Sequence, residues 1–215
     1  SQWQREGRET LEALAEQLVY EDGGFSQQSF NYQRVMLHDF AWSLRLGDVN
    51  DAPLSDQLRE RIRRSAELLY QVQDENSGRV PCYGQFDGQQ ILPLNNCDYL
   101  DFRPVVQLVI AMTEGSRRFP EGPWDEDLLW FMGSDYTALP ESPLDQDACF
   151  SRPSGYLALR SRDGFVYARN PNFQHRPAQA DLLHVDVAWR GQEIAIDPGT
   201  FSYNGPPPWI NPLAE

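Results

Sequence analysis

Two of the three histidines, His175 and His184, share a short stretch with Asp181 and Asp186, and Asp197 follows one apolar run later. Imidazoles beside carboxylates exchange protons near neutral pH or help hold a metal ion. A plainer use is equally open: His184 and Asp197 as a cross-strand ion pair, with His175 on a loop. Tyr32 is a second candidate, placed just after the loop Asp22-Gly23-Gly24-Phe25-Ser26 at the opening of an apolar stripe. A phenol with a pKa of about 10 can donate a proton, and acts as a base only beside a cation or a strong hydrogen-bonding neighbour. Otherwise Tyr32 is a core residue whose hydroxyl has found a partner. A third stretch, from Pro81 to Pro104, is dense in aromatics, glycines and Asp. It suits sugar binding by stacking and hydrogen bonds, and it suits a packed connector equally well. His38, beside Asp39 in mid-stripe, reads as structural.

The elements that must position these residues follow from periodicity. Leu11, Leu14 and Leu18 form one stripe, and Tyr32, Val35, Met36, Phe40 and Leu44 a second. Leu54, Leu58, Ile62, Ala66, Leu69 and Val72 form a third, opened by a cap at Ser55. Spacings of three and four predict amphipathic helices. Residues 104–112 and 125–132 predict shorter helices, and 75–101 a long irregular segment of the kind that usually carries function. After a Pro-, Ser- and Asp-rich stretch the period changes to two. Residues 156–162 and 165–169 flank Asp163-Gly164, a pair suited to a type I′ hairpin turn. Residues 182–189 and 192–197 flank Arg190-Gly191. A two-residue turn there sets Val187 opposite Ile194, Val185 opposite Ile196 and His184 opposite Asp197. The expected organisation is a helical part over 1–132, a linker over 133–153 and a β part over 154–215.

Charge narrows the partners. The chain has 32 acidic residues against 18 basic ones, all Arg, for a net charge of −14. All of that excess falls before residue 151, because residues 151–215 hold six acids and six Arg. Nucleic acid is excluded as a partner, since binding it requires cations to replace phosphate counterions. No apolar run approaches the length of a membrane span. Cys82, Cys97 and Cys149 fit neither a disulfide framework nor a Cys-x-x-Cys metal site.

Three motifs occur in order: Asp-Gly…Ser-x-x-Tyr, then Pro-x-x-Gly-x-x-Asp-Gly with a following Arg-Pro. The third is His…Ala-Asp-Leu-Leu-His…Gly…Asp-Pro-Gly-Thr-x-x-Tyr. Together they resemble the heparinase II/III-like polysaccharide lyases and related alginate lyases, from about Glu21 to Trp209. The resemblance implies an α+β architecture, a partial (α/α) toroid followed by the start of an antiparallel β-sandwich, in a fragment of a longer polypeptide. It implies β-elimination on an acidic, uronate-containing polysaccharide and a periplasmic or secreted location.

By the same resemblance Tyr32 and His175 are the catalytic pair. Asn31, Arg103, Arg176, Gln179 and His184 are substrate-contacting residues. No cofactor is required, although Asp197 falls where some relatives bind a divalent metal such as zinc or calcium. Many relatives carry histidines where this chain has Pro177 and Gln179, which weakens a zinc site. Arg34, Arg103, Arg176 or their neighbours in the rest of the polypeptide are expected to make the cleft locally positive. Two other classes fit the same sequence: a non-catalytic glycan-binding or polysaccharide-assembly protein of this shape, and a toroid glycoside hydrolase using two carboxylates.

Overall fold

The computed structural model describes residues 2–146, 148–171, 173, 182–190, 192–198 and 206–207. Its elements, in chain order, are helices followed by an antiparallel sheet. The α-helices are α1 (Gln2–Leu18), α2 (Phe30–Val49), α3 (Asp56–Val72), α4 (Arg103–Glu114) and α5 (Glu126–Met132). Short 3-10 turns cover Pro123–Asp125 and Gly133–Ala138. The strands are β1 (Cys149–Ser151), β2 (Tyr156–Arg160), β3 (Gly164–Arg169), β4 (Val185–Trp189) and β5 (Gln192–Ala195). They form one sheet in sequence order. Strand β1 lies inside the stretch expected to be linker, and the β3–β4 pairing joins the two expected hairpins into a single sheet.

Helix α3 shows why the stripes were readable. The Ser55 hydroxyl accepts from the Leu58 N–H, satisfying one of the free donors of the first turn. Leu58, Ile62, Ala66, Leu69 and Val72 then face the core. Helix α2 is buried on more than one side, and its hidden residues include Asn31, Gln33, Arg34 and His38. Helix α4 accommodates a polar residue in its apolar run. Gln107 donates to Phe119 O and Asp125 Oδ1 and accepts from the Arg118 and Phe119 N–H groups, so no buried polar atom of its amide is wasted.

The sheet does not meet the helices with its more apolar side. Tyr156, Ala158 and Tyr167 share a core with α2, α3 and α4 residues. Arg169 and Asp186 are buried with them. On the other face Phe150 is 67% exposed and Leu159 and Val185 each 45%. Polar anchors make the inward choice specific. The Asp22 carboxylate accepts from the Gly24 N–H (3.0 Å), the Ser154 N–H (2.9 Å), the Ser154 hydroxyl (2.7 Å) and the Ser151 hydroxyl. Arg160 donates to Gln71 O at 2.9 Å and Gln73 O at 2.6 Å, occupying carbonyls at the open end of α3.

Two register expectations are corrected. In the first hairpin Arg160 pairs with Phe165 and the Ser161 N–H donates to Gly164 O, so residues 161–163 join the strands, and neither Asp163 nor Gly164 adopts the positive φ of a type I′ turn. In the second, Trp189 pairs with Gln192 as expected, but a bulge between Val187 and Ala188 puts Val187 opposite Ala195 rather than Ile194. One extra residue on a strand shifts every partner beyond it. The His184–Asp197 pairing is therefore lost, and the Asp197 N–H instead donates to Asp186 Oδ1 at 3.2 Å.

Two stability predictions follow from hydrogen-bonded carboxylates. Asp22→Ala removes an anionic acceptor of four hydrogen bonds and should lower the unfolding free energy by about 2–3 kcal/mol in urea denaturation. Asp127, on α5, accepts from Asn95 Nδ2 at 2.9 Å through one oxygen, and burial pushes its pKa up to about 6. Between about pH 4 and pH 6 the unfolded chain has lost this proton while the folded chain keeps it, so the contribution of Asp127 to stability falls as pH rises. The stability of Asp127→Asn relative to the parent should grow by about 2–3 kcal/mol from pH 4 to pH 7. A pH-independent difference in urea midpoints would contradict this.

Candidate functional site

The site assembles where the first turn of α2, the 75–101 loop and the inward face of the sheet meet. Ser29 caps α2 by accepting from the Tyr32 N–H (3.2 Å), and its hydroxyl donates to Gln85 O (2.6 Å). The Phe30 N–H donates to Tyr83 O, and the Tyr83 hydroxyl donates to Gln28 Oε1. The rings of Phe30, Tyr83 and Tyr167 pack mutually with centroids 4.6–5.8 Å apart. The Arg169 guanidinium lies 4.0 Å over Tyr83. Gly84 makes this approach possible: its φ is +70°, and a Cβ there would sit 2.1 Å from Gln28 O.

The pinned loop delivers Asp87 to Tyr32. The Tyr32 hydroxyl donates to Asp87 Oδ2 at 2.9 Å, and Asn31 Nδ2 donates to Asp87 Oδ1 at 3.2 Å. Asn31 Oδ1 accepts from Arg34 Nη2 and from the Tyr99 hydroxyl, both at 2.7 Å. Arg34 is buried between Tyr99 and Phe102, with its guanidinium carbon 4.3 and 4.5 Å from their ring centres, and it donates to Tyr99 O and Gln89 O. Burial lowers its pKa from the usual arginine value. The same helix buries His38, and desolvation together with Arg34 pushes its pKa down to about 3, so it stays neutral.

On the sheet side, His184 Nε2 lies 3.1 Å from Asp186 Oδ1. Burial raises the pKa of Asp186, and the neighbouring His184 opposes that rise. Cys82, next to Tyr83, belongs to the same region. Burial first, and then Asp197, Asp186 and Glu193, push its thiol up to about 12, which makes it an unreactive thiol.

The expected site residues fall into three groups. Tyr32 on α2, His184 just before β4 and Asp197 just after β5 border this region. Asn31 is fully buried, with its amide hydrogen-bonded to Asp87, Arg34 and Tyr99. Arg103 is bound to Asp101 through Nε and Nη2 and stacked 4.0 Å over Trp124, so its guanidinium is committed to the α4 N-terminus. Arg34 and Arg103 therefore do not supply the open positive charge expected of the cleft. His175, Arg176 and Gln179 lie outside the described residues.

Among the described residues no three His, Cys, Asp or Glu side chains gather as ligands, and the contact of Asp197 to Asp186 uses a backbone N–H. Asp87 and Tyr99 were not among the expected site residues. Asp87 nonetheless stands in the Pro-x-x-Gly-x-x-Asp-Gly motif, which was the signal for it. The loop aromatics also turned out differently from a stacking platform: Tyr83 is buried, and Phe86 packs on Tyr99 and Phe102.

Known structures share this fold. A heparinase III gene product superimposes with a TM-score of 0.66 over 95% of this chain and 29% of its own, at 15% identity. The heparan sulfate lyase HepC from Pedobacter heparinus gives a TM-score of 0.66 over 96% of this chain and 30% of its own, at 14% identity. Another heparinase III structure gives 0.60 over 93% and 31%, at 15% identity. The chain thus spans about a third of the length of these structures. No protein-family model and no curated protein matches the sequence. Among the described residues, no helix is long and apolar enough to cross a membrane.

Gly84 and Gly88 provide an internal test of how the loop is held. Both have positive φ, but a Cβ at Gly88 meets nothing within 4 Å. Gly84→Ala should cost about 2–4 kcal/mol, from backbone strain and the clash with Gln28, and Gly88→Ala about 1 kcal/mol from strain alone. Equal urea midpoints for the two variants would show that the close approach of Gly84 is unimportant.

Proposed function

We propose that this chain is part of a polysaccharide lyase that cleaves an acidic, uronate-containing polysaccharide by β-elimination, with Tyr32 as the proton donor. The observation that carries the reading is the Tyr32 phenol, hydrogen-bonded to Asp87 at the helix–sheet junction of a chain with the heparan sulfate lyase fold. In this reaction a base removes the C5 proton of the uronate. The C5–H electron pair becomes the C4=C5 double bond, and the C4–O bond breaks. The glycosidic oxygen leaves with that bonding pair and takes the Tyr32 proton. Neutralising the uronate carboxylate eases loss of the C5 proton, because charge can then spread onto it. In this reading His175 is the base, and Arg176, Gln179 and His184 face the carboxylate. Export to the periplasm or the outside goes with such a substrate.

A second reading is binding without cleavage. It is favoured by Pro177 and Gln179, which stand where the resemblance places histidines in many lyases. Incubation of the full-length protein with heparan-type, alginate-type and capsular polymers separates the two. Elimination generates unsaturated uronate, seen as new ultraviolet absorbance, and Tyr32→Phe should reduce its formation by about 100-fold or more. Unchanged turnover in Tyr32→Phe would remove Tyr32 from the chemistry. Retention of acidic oligosaccharide with no unsaturated product would favour the binding protein.

A further inference from the structure

We propose that the Asp87 carboxylate is a positioning residue that holds Tyr32 in its protonated form, and that Asn31 and Arg34 fix Asp87 for that task. The inference rests on the reading of Tyr32 as the proton donor and separates the acid from the base. Its basis is a chain of contacts with one consistent orientation. Asn31 Oδ1 already accepts two hydrogen bonds, from Arg34 Nη2 and the Tyr99 hydroxyl. A carboxamide nitrogen cannot accept, so those two donors force the oxygen toward them and the NH2 toward Asp87. Asn31 Nδ2 then fills Asp87 Oδ1, and Asp87 Oδ2 accepts the Tyr32 proton.

Electrostatics give the arrangement its chemical meaning. Ionising Tyr32 would place a phenolate 2.9 Å from a carboxylate and lose the hydrogen bond between them. Both effects favour the neutral phenol. Among the described residues, the other groups near this point do not reverse that preference. Arg34 acts from behind Asn31, with its guanidinium committed to Asn31, Tyr99 O and Gln89 O. His38 is neutral, and the Tyr99 phenol is kept neutral by burial. Asp39 lines, with Tyr32, an apolar cavity of about 300 Å³ between α1 and α2.

Tyr32 is thereby suited to give a proton and unsuited to take one. During elimination its O–H bond breaks as a new O–H bond forms on the departing glycosidic oxygen. The phenolate left beside Asp87 then recovers a proton from water. The C5 proton must go to a different group.

The test is a titration that needs no turnover. In the 215-residue chain labelled with 13Cζ-tyrosine, the Tyr32 signal is identified by its loss in Tyr32→Phe. Asp87→Asn and Asp87→Ala should each lower the Tyr32 midpoint by about one pH unit or more. Asp87 is a half-buried loop residue, and two replacements of different shape guard against a local rearrangement in either. A Tyr32 midpoint that stays put or rises in either variant overturns the proposal. Because the readout is a resonance, absence of lyase activity would sink the proposed function and leave this result standing or falling by itself.

Discussion

The placement of Tyr83 is the constraint on which the site depends. One ring is held by Phe30 from α2, Tyr167 from the sheet and the Arg169 guanidinium above it, with its hydroxyl bound to Gln28. Helix, loop and sheet are thereby locked at one point. An aromatic pair contributes about 0.5–1.5 kcal/mol beyond the area it buries, and a desolvated cation–π contact a similar amount. Such a junction is strong enough to hold a long loop whose own backbone hydrogen bonds are sparse. Four residues further on, the loop presents Asp87 to Tyr32, so the geometry of this phenol–carboxylate pair derives from the aromatic junction.

The use of Arg to the exclusion of Lys takes on a structural meaning at the same interface. Arg34 and Arg169 are almost fully buried, and each stacks on an aromatic face. Arg160 lies over Phe165 while reaching carbonyls at the end of α3. Arg118 reaches Glu67 and Glu114 from a buried position. A flat, weakly hydrated guanidinium can stack and donate in its own plane simultaneously, and a compact ammonium cannot. The inward face of the sheet can therefore be polar without being wet. Lysine at these positions would leave a strongly hydrated charge in an environment that excludes water.

Much of the secondary structure was legible. The stripes gave α1, α2 and α3, the Ser55 cap marked the start of α3, and the irregular 75–101 segment stayed irregular. These features depend on residues within a few positions of one another, and local periodicity records them. The hairpin registers were less legible. A bulge at Val187/Ala188 has no local marker, and it moved Asp197 from His184 to the vicinity of Asp186. Nor did alternation along β2–β4 say which face meets the helices, because that choice depends on Asp22, Tyr83 and α3, all remote in sequence.

By itself, then, the sequence determined the order of helices before strands, the helix faces and the identity of Tyr32 as a candidate. Those conclusions need only residue type and spacing. The tertiary structure alone decided that Asn31 is buried, that Arg103 belongs to Asp101 and that Asp87 is the partner of Tyr32. Each of the Asp87 contacts spans more than fifty residues. Pairings at that separation are set by how the loop packs onto the helix and sheet, and no local pattern in the chain encodes them.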